Sequence, residues 1–327
     1  MKFQFNDILG LDRLKLANHV IEDDSRCWVD CLELAPGDHL MSEMQPFFED
    51  VQSHYDLSDD FFALFLDSTR TYSCAYFGDS NATLEEAQMA KIDLSLSKCE
   101  LTPGMKLLDI GCGWGSTAFR AAERYKVDVT GLTLSENQYK YASQQARNIE
   151  YSDSVHFRLQ GWEDYVEPVD RIVSIGAFEH FRNSRHEAFF SRCRELLPAN
   201  GIMMLHTIVT PSLADLRQQG IEFTQEDVRF AKFIRDEIFP GGQLCAPERI
   251  KSLAQQNGLN VYHVQSLRLH YARTLDCWAE SLATARDQAI ALTSQSVYDR
   301  YQKYLKGCAE QFRKGTIDVM QFCMRRD

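Results

Sequence analysis

No apolar run in this 327-residue chain approaches the roughly 18 residues that a membrane-spanning helix needs, so no transmembrane segment is expected. The opening residues, MKFQFNDILGLDR, include Asp7 and Asp12 where a secretory leader would be apolar. Positive charge is in deficit, with 35 Lys and Arg against 47 Asp and Glu, a net charge of -12. The cations are dispersed among the acids, which argues against a nucleic-acid binder that neutralises phosphates. Ten cysteines are present, but they form neither a CxxC pair nor a zinc-ligand spacing. Reduced thiols in a soluble, cytoplasmic protein are therefore expected, and no metal site is. Internal repeats and low-complexity segments are also lacking.

What is there suffices for a sizeable core: 44% of the residues are hydrophobic, with 20 Phe and 13 Tyr. From Lys106 short apolar strands alternate with helical stretches: KLLDIG, a helix from Trp114 to about Tyr125, VDVTGLTL, a helix from Ser135, SVHFRL, VDRIVSI, a helix through AFFSRCRELL, and GIMMLHTIV. Five strands separated by helices imply a mostly parallel sheet covered on both faces, an α/β fold. Residues 44–100 read as a helical, aromatic-rich cap containing DDFFALFL, and residues 209–245 as a helical insertion stopped at IFPGG. A helix from Pro247, a strand at NVYHVQSLRL, helix from about Thr274 to Phe312 and a last strand TIDVMQFCM complete the expectation.

Two segments carry chemistry. In LLDIGCGWGS, Asp109 ends a strand and Gly111, Gly113 and Gly115 follow before a helix, at the carboxyl edge where open α/β sheets bind ligands. The spacing is GxGxG rather than the GxGxxG of dinucleotide sites, and no GxxxxGK[ST] phosphate loop occurs. In VSIGAFEHF, Glu179 and His180 lie at the same edge with no serine or cysteine nucleophile beside them. A structural histidine and a helix-terminal acid are the default reading of such a pair.

The acid followed by GxGxG resembles the first motif of class I S-adenosylmethionine-dependent methyltransferases. A narrower resemblance rests on VQSHYDLSDDFF, TYSCAYF, TLEEAQMAKIDL, LLDIGCGWG, GLTLSENQ, GWEDY, PVDRIVSIGAFEHF and EIFPGG, in that order. Together they are similar to the cyclopropane fatty acid synthase family, most closely its mycolic acid subgroup, over roughly residues 44–325. The resemblance implies a Rossmann-like sheet of about seven strands, with N-terminal helices and a helical insertion covering the active site. It implies one methyltransferase domain over 41–327: a cap to residue 100, a cofactor-binding core over 101–208, the insertion over 209–245, and a C-terminal part of the core with substrate-tunnel helices over 246–327.

For the cofactor S-adenosylmethionine, the resemblance implies that Asp109, Gly111 and Gly113 form the glycine-loop contacts. Thr133 and Gln138 would hold the ribose, Gly161, Trp162 and Glu163 border the adenine, and Tyr72 and Ser73 reach the methionine end. Ser135 and Gln138 also read as a capping box on the following helix, and that alternative stays open. Family members hold a bicarbonate ion as the base, which maps here to Cys74, Ile175, Glu179, His180 and Tyr271. The nucleophile is then the alkene of a long acyl chain. Methyl addition leaves a cation, and a proton must leave for the ring to close. Tyr55 joins the implied catalytic set, and Phe178, Tyr55 and Tyr72 read either as π-faces for the cation or as ordinary core. Gly176 stands where relatives giving hydroxylated, methyl-branched products have glutamate, which favours ring closure.

The implied substrate is a long-chain unsaturated, meromycolyl-type acyl group, expected on acyl carrier protein. Phe223, Phe230, Phe233, Ile234, Leu275, Trp278 and Leu282 read either as the lining of its tunnel or as a plain helical core, and both readings stay open. Residues 1–40 match nothing in the mycolic subgroup, and MSEMQPFFEDVQSHYDLS reads like a native start at Met41 or Met44. Two readings stay open there: an annotation artefact, or an extra helix and strand.

Overall fold

The structure, a computed structural model, describes residues 58–327. The expectations for residues 1–40, for a start at Met41 or Met44, and for Tyr55 lie outside the described residues. Seven strands form one sheet: β1 (Lys106–Ile110), β2 (Asp128–Thr133), β3 (Val155–Leu159), β4 (Arg171–Ile175), β5 (Ile202–Val209), β6 (Leu259–Ser266) and β7 (Asp318–Arg326). Their order is β3-β2-β1-β4-β5-β7-β6. The first five are parallel, and β7 runs antiparallel to both β5 and β6. This is the class I methyltransferase sheet that the resemblance implied.

Side chains alternate across the strands, so each central strand supplies two cores. Leu108, Ile172, Met203, Leu205, Phe322 and Met324 face one layer, where α5 (His186–Leu196) and α8 (Pro247–Gln256) pack. Leu107, Val129, Val173, Met204 and Cys323 face the other, under α2 (Leu84–Ser97) and α3 (Ser116–Tyr125). β5 is buried along nearly its whole length, which is why IMMLHTIV reads as a continuous apolar run rather than an alternating one. Helix α2 begins at a capping box: Thr83 Oγ1 accepts from the Glu86 amide at 3.3 Å and Glu86 Oε2 from the Thr83 amide at 2.8 Å. Losing such a cap costs about 1 kcal/mol.

A third apolar cluster covers the carboxyl edge. Here α1 (Asp59–Ala63) packs Phe61 and Phe62 against α9 (Arg268–Thr284) and α11 (Gln295–Lys314), with the Phe61 and Tyr301 rings 4.9 Å apart. Between β5 and α8 the chain forms α6 (Leu213–Gln218) and α7 (Gln225–Glu237), the expected helical insertion. The remaining helices are α4 (Glu136–Ala146), beside β3, and α10 (Arg286–Leu292).

Several boundaries differ from expectation for local reasons. Helix α3 starts at Ser116 rather than Trp114, because Gly115 at φ 95° is left-handed. The strand expected through Leu269 stops at Ser266, where Ser266 Oγ bonds both Asp318 carboxylate oxygens, and α9 opens at Arg268 instead of near Thr274. Its Arg268 guanidinium donates to the Phe312 carbonyl at 2.7 Å, tying the start of α9 to the end of α11. The helix expected through Phe312 breaks twice, at Ala285 and before the Ser294 cap, whose hydroxyl accepts from the Val297 amide at 3.2 Å.

Candidate functional site

The glycine turn leaves β1 and folds back on β2: the Gly111 and Cys112 amides both donate to the Leu132 carbonyl at 2.9 Å. Gly111 has φ 80°, and a β-carbon there would lie 2.3 Å from the Ala177 β-carbon, so only glycine lets the two turns meet. At Gly113, φ 57°, a β-carbon would meet nothing within 4 Å, which leaves its backbone open to the cleft beyond.

That cleft encloses about 1050 Å³ including its open mouth. Asp109, Gly111, Gly113, Thr133, Gln138, Gly161, Trp162, Glu163, Tyr72 and Ser73 all line it. Thr133 Oγ1 donates to Gln138 Oε1 at 2.8 Å, while Ser135 caps α4 by accepting from the Gln138 amide at 3.3 Å. The two readings of this segment are thus divided between groups: the serine caps, and the glutamine side chain turns to Thr133 on the cleft wall. Several polar atoms here are buried without a protein partner: Asp109 Oδ2, Trp162 Nε1 and Glu163 Oε2. Burial pushes the Asp109 carboxyl up to about 7, with Lys91 acting the other way. The same cause raises Glu163, although Arg185 donates to its Oε1 at 3.0 Å.

Sequence reasoning missed Lys91. It is buried on α2 at the cleft wall and donates from Nζ to Ser73 Oγ at 3.0 Å. Burial pulls its ammonium down to about 8. The segment carrying Ser73 is further held by Gln88 Nε2, which donates to the Thr71 and Ser73 carbonyls at 3.2 and 2.8 Å.

A second cavity, about 1040 Å³ including its opening, adjoins the first, and Tyr72, Ser73, Gly176 and His180 line both. Cys74, Glu179, His180 and Tyr271 are brought together on its wall, whereas Ile175 lines only the cleft. Glu179 Oε1 accepts from the Ile208 amide at 2.6 Å, and Oε2 is buried without a partner. Burial pushes this carboxyl up to about 7. Burial likewise holds the Cys74 thiol and the Tyr271 phenol far above their ordinary ranges, so both stay protonated. Tyr72 and Tyr304 share a hydroxyl contact of 3.2 Å across the cavity wall.

His206 was also missed. It ends the apolar run of β5, is fully buried, lines this cavity, and has Nε2 without a partner. Burial, then Lys91 and Lys98, drive its imidazole well below the ordinary range, so it is neutral. A histidine near the carboxyl end of an otherwise apolar strand was the available signal.

Other expectations fail here. Phe178 lines neither space; its ring stacks on His186 at 4.0 Å among Phe181, Phe189 and Phe190. Of the candidate tunnel residues, Ile234 and Leu275 line the cavity. Trp278 and Leu282 point instead into the helical core, Phe230 and Phe233 pack on that cluster, and Phe223 is absent from the wall. Among the described residues no cluster of His, Cys, Asp and Glu could hold a metal ion, and no helix is long and apolar enough to cross a membrane.

Comparison with known proteins points the same way. The family profile described as mycolic acid cyclopropane synthetase matches residues 42–322. Cyclopropane mycolic acid synthase 3 of Mycobacterium tuberculosis is 56% identical over 284 residues, 87% of this chain and 99% of that protein. The structure of the cyclopropane synthase MmaA2 from Mycobacterium tuberculosis superposes with a TM-score of 0.86 at 52% identity, covering 87% of this chain and 100% of that one. Mycolic acid cyclopropane synthase CmaA1 complexed with SAH and CTAB gives 0.85 at 55% identity, with the same coverage of 87% and 100%.

Proposed function

The chain belongs to the mycolic acid cyclopropane synthetase family, and from that premise we propose that it is a cytoplasmic methyltransferase that cyclopropanates a double bond in a meromycolyl-type acyl chain presented by acyl carrier protein. The observation that carries the reading is the junction, at Tyr72, Ser73, Gly176 and His180, of a cleft of mixed lining that holds Asp109, Thr133, Gln138 and Glu163 with a more apolar cavity. That the relative CmaA1 is complexed with SAH and CTAB supports a cofactor and an alkyl chain as the two occupants; the lining of each space assigns the cofactor to the first and the chain to the second.

When bound, S-adenosylmethionine would supply an electrophilic methyl group. Thr133, Gln138 and Glu163 would orient the nucleoside part, with the unpartnered Glu163 Oε2 and Trp162 Nε1 at its disposal. Ser73, held by Lys91, would fix the methionine end. Tyr72, Tyr271 and Tyr304 line the cavity and would offer aromatic rings to developing positive charge on a bound alkene.

A bicarbonate ion as base fits the groups beside Glu179. The Cys74 thiol, the Tyr271 phenol and the neutral His206 ring are uncharged, so an anion meets no fixed negative charge once Glu179 is protonated. Glu179 Oε2 and His206 Nε2 are the buried polar atoms left to bind it. Gly176 supports ring closure over capture by water, since it adds no second acid at the junction.

The test is to incubate the enzyme with methyl-labelled S-adenosylmethionine and unsaturated acyl carrier protein, with bicarbonate supplied or stripped. A product heavier by one methylene, formed only when bicarbonate is present, is expected. An alcohol of higher mass would replace ring closure by hydration, and no label in lipid would refute the enzyme reading.

A further inference from the structure

The sheet register sets His206 opposite Gln321 on β7, and Gln321 opposite Gln265 on β6, so three polar side chains form one row across three strands. Helix α2 lies on that face of the sheet and brings to it Ser95 and, from the residue that ends the helix, Lys98. The hydrogen bonds in this row leave no freedom of assignment. Lys98 Nζ, which can only donate, contacts Gln321 Oε1 and Gln265 Oε1. The Gln321 amide nitrogen therefore faces the other way, 3.0 Å from Ser95 Oγ and 3.2 Å from His206 Nδ1. Ser95 spends its own hydrogen on the Lys91 carbonyl at 2.8 Å, so its oxygen accepts one Gln321 hydrogen. The second Gln321 hydrogen goes to His206 Nδ1, which must accept it.

The geometry points to Gln321, oriented by Lys98, as a positioning residue that fixes His206 in the tautomer with its proton on Nε2. That atom is the buried, unpartnered one on the cavity wall. His206 is thereby a hydrogen-bond donor to whatever anion or oxygen lies beside Glu179, and never an acceptor there. The charged groups acting on the ring, Lys91 and Lys98, both disfavour the imidazolium, so the donor stays uncharged. A neutral donor grips a base without protonating it. The inference rests on the anion site of the proposed function only for what the donor binds; the tautomer stands on the hydrogen bonds alone.

The experiment is nitrogen NMR on the full chain labelled at histidine, with the His206 signals assigned by their loss in His206→Gln. Wild type is expected to show a protonated Nε2 and a bare Nδ1 from about pH 5.5 to about pH 8.5. In Gln321→Glu the carboxylate offers no hydrogen to Nδ1, and that nitrogen should become protonated; kcat should fall about 10–100-fold with the KM for S-adenosylmethionine unchanged. Lys98→Met, which frees the Gln321 amide to turn, should give a mixture of the two tautomers. A protonated Nδ1 in wild type overturns the inference, as does a ring unaltered in Gln321→Glu. Because the wild-type spectrum needs no turnover, an inactive enzyme with the expected tautomer would count against the proposed function and not against this assignment.

Discussion

Glu179 offers a direct test of what burial does at this site. Its carboxyl is moved from the ordinary 4.5 up to about 7, and burial is the largest cause; the Ile208 amide on Oε1 opposes it. A carboxyl raised in the folded state binds its proton more tightly there than in the unfolded chain. The associated stability is fully present below pH 4.5 and is lost as pH rises through about 7. At about 1.4 kcal/mol per pH unit, the gap amounts to about 3 kcal/mol. Wild type alone would not isolate it, because Asp109 is raised to about 7 by the same cause. The difference between wild type and Glu179→Gln does, since the amide keeps the shape and an acceptor for the Ile208 amide but cannot ionise. Urea midpoints measured at steps from about pH 5 to about pH 8.5 should show the variant gaining on wild type by about 2–3 kcal/mol across the range. A difference independent of pH would refute the reasoning, because it would mean that Glu179 is not proton-linked to folding.

Three further outcomes follow from the geometry. Gly111→Ala places a β-carbon 2.3 Å from that of Ala177 at a left-handed φ, so it should lose about 1–3 kcal/mol of stability and most of its affinity for S-adenosylhomocysteine, as read by thermal melts and calorimetry. Lys91→Met removes a buried cation from Ser73 while filling similar volume; the stability should change little while cofactor affinity drops about tenfold, and unchanged affinity would exclude a role for Lys91 at the methionine end. Ile234→Phe narrows the cavity and not the cleft, so the apparent KM for acyl substrate should rise about tenfold with S-adenosylhomocysteine binding unaltered; coupled losses in both would argue against separate spaces.

The parts of the site legible in the sequence lie where strands meet turns. Asp109, Gly111 and Gly113 announce themselves because a carboxyl edge with glycines permits few structures. Lys91 and His206 were illegible because their neighbours disguise them. Lys91 sits on a helix whose inner face also carries Gln88 and Ser95, and His206 interrupts a strand that otherwise reads as plain core. Only the register that pairs His206 with Gln321 shows that the polar row is built rather than tolerated. Phe178 failed for the opposite reason: it adjoins Glu179 in sequence, but the tight turn at Phe178–His180 sends consecutive side chains to different sides, and the phenylalanine went to the core. Helices α7, α9 and α11 all contribute to the cavity wall, yet a helix turns most of its residues away from any one cavity, which is why Leu275 faces it and Trp278 and Leu282 do not.

The place of β7 has a consequence for biosynthesis. Among the described residues six strands leave the ribosome before it, yet it lies between β5 and β6, and β6 has no other neighbour among the described strands. Until those nine residues emerge, the nascent chain carries β5, a strand buried along nearly its whole length in the finished fold, as an open edge of the kind that recruits other unfinished chains. The strand that closes that edge is also the one that delivers Gln321 to His206. Shielding from aggregation and completion of the cavity wall are thus the same late event in the life of each molecule.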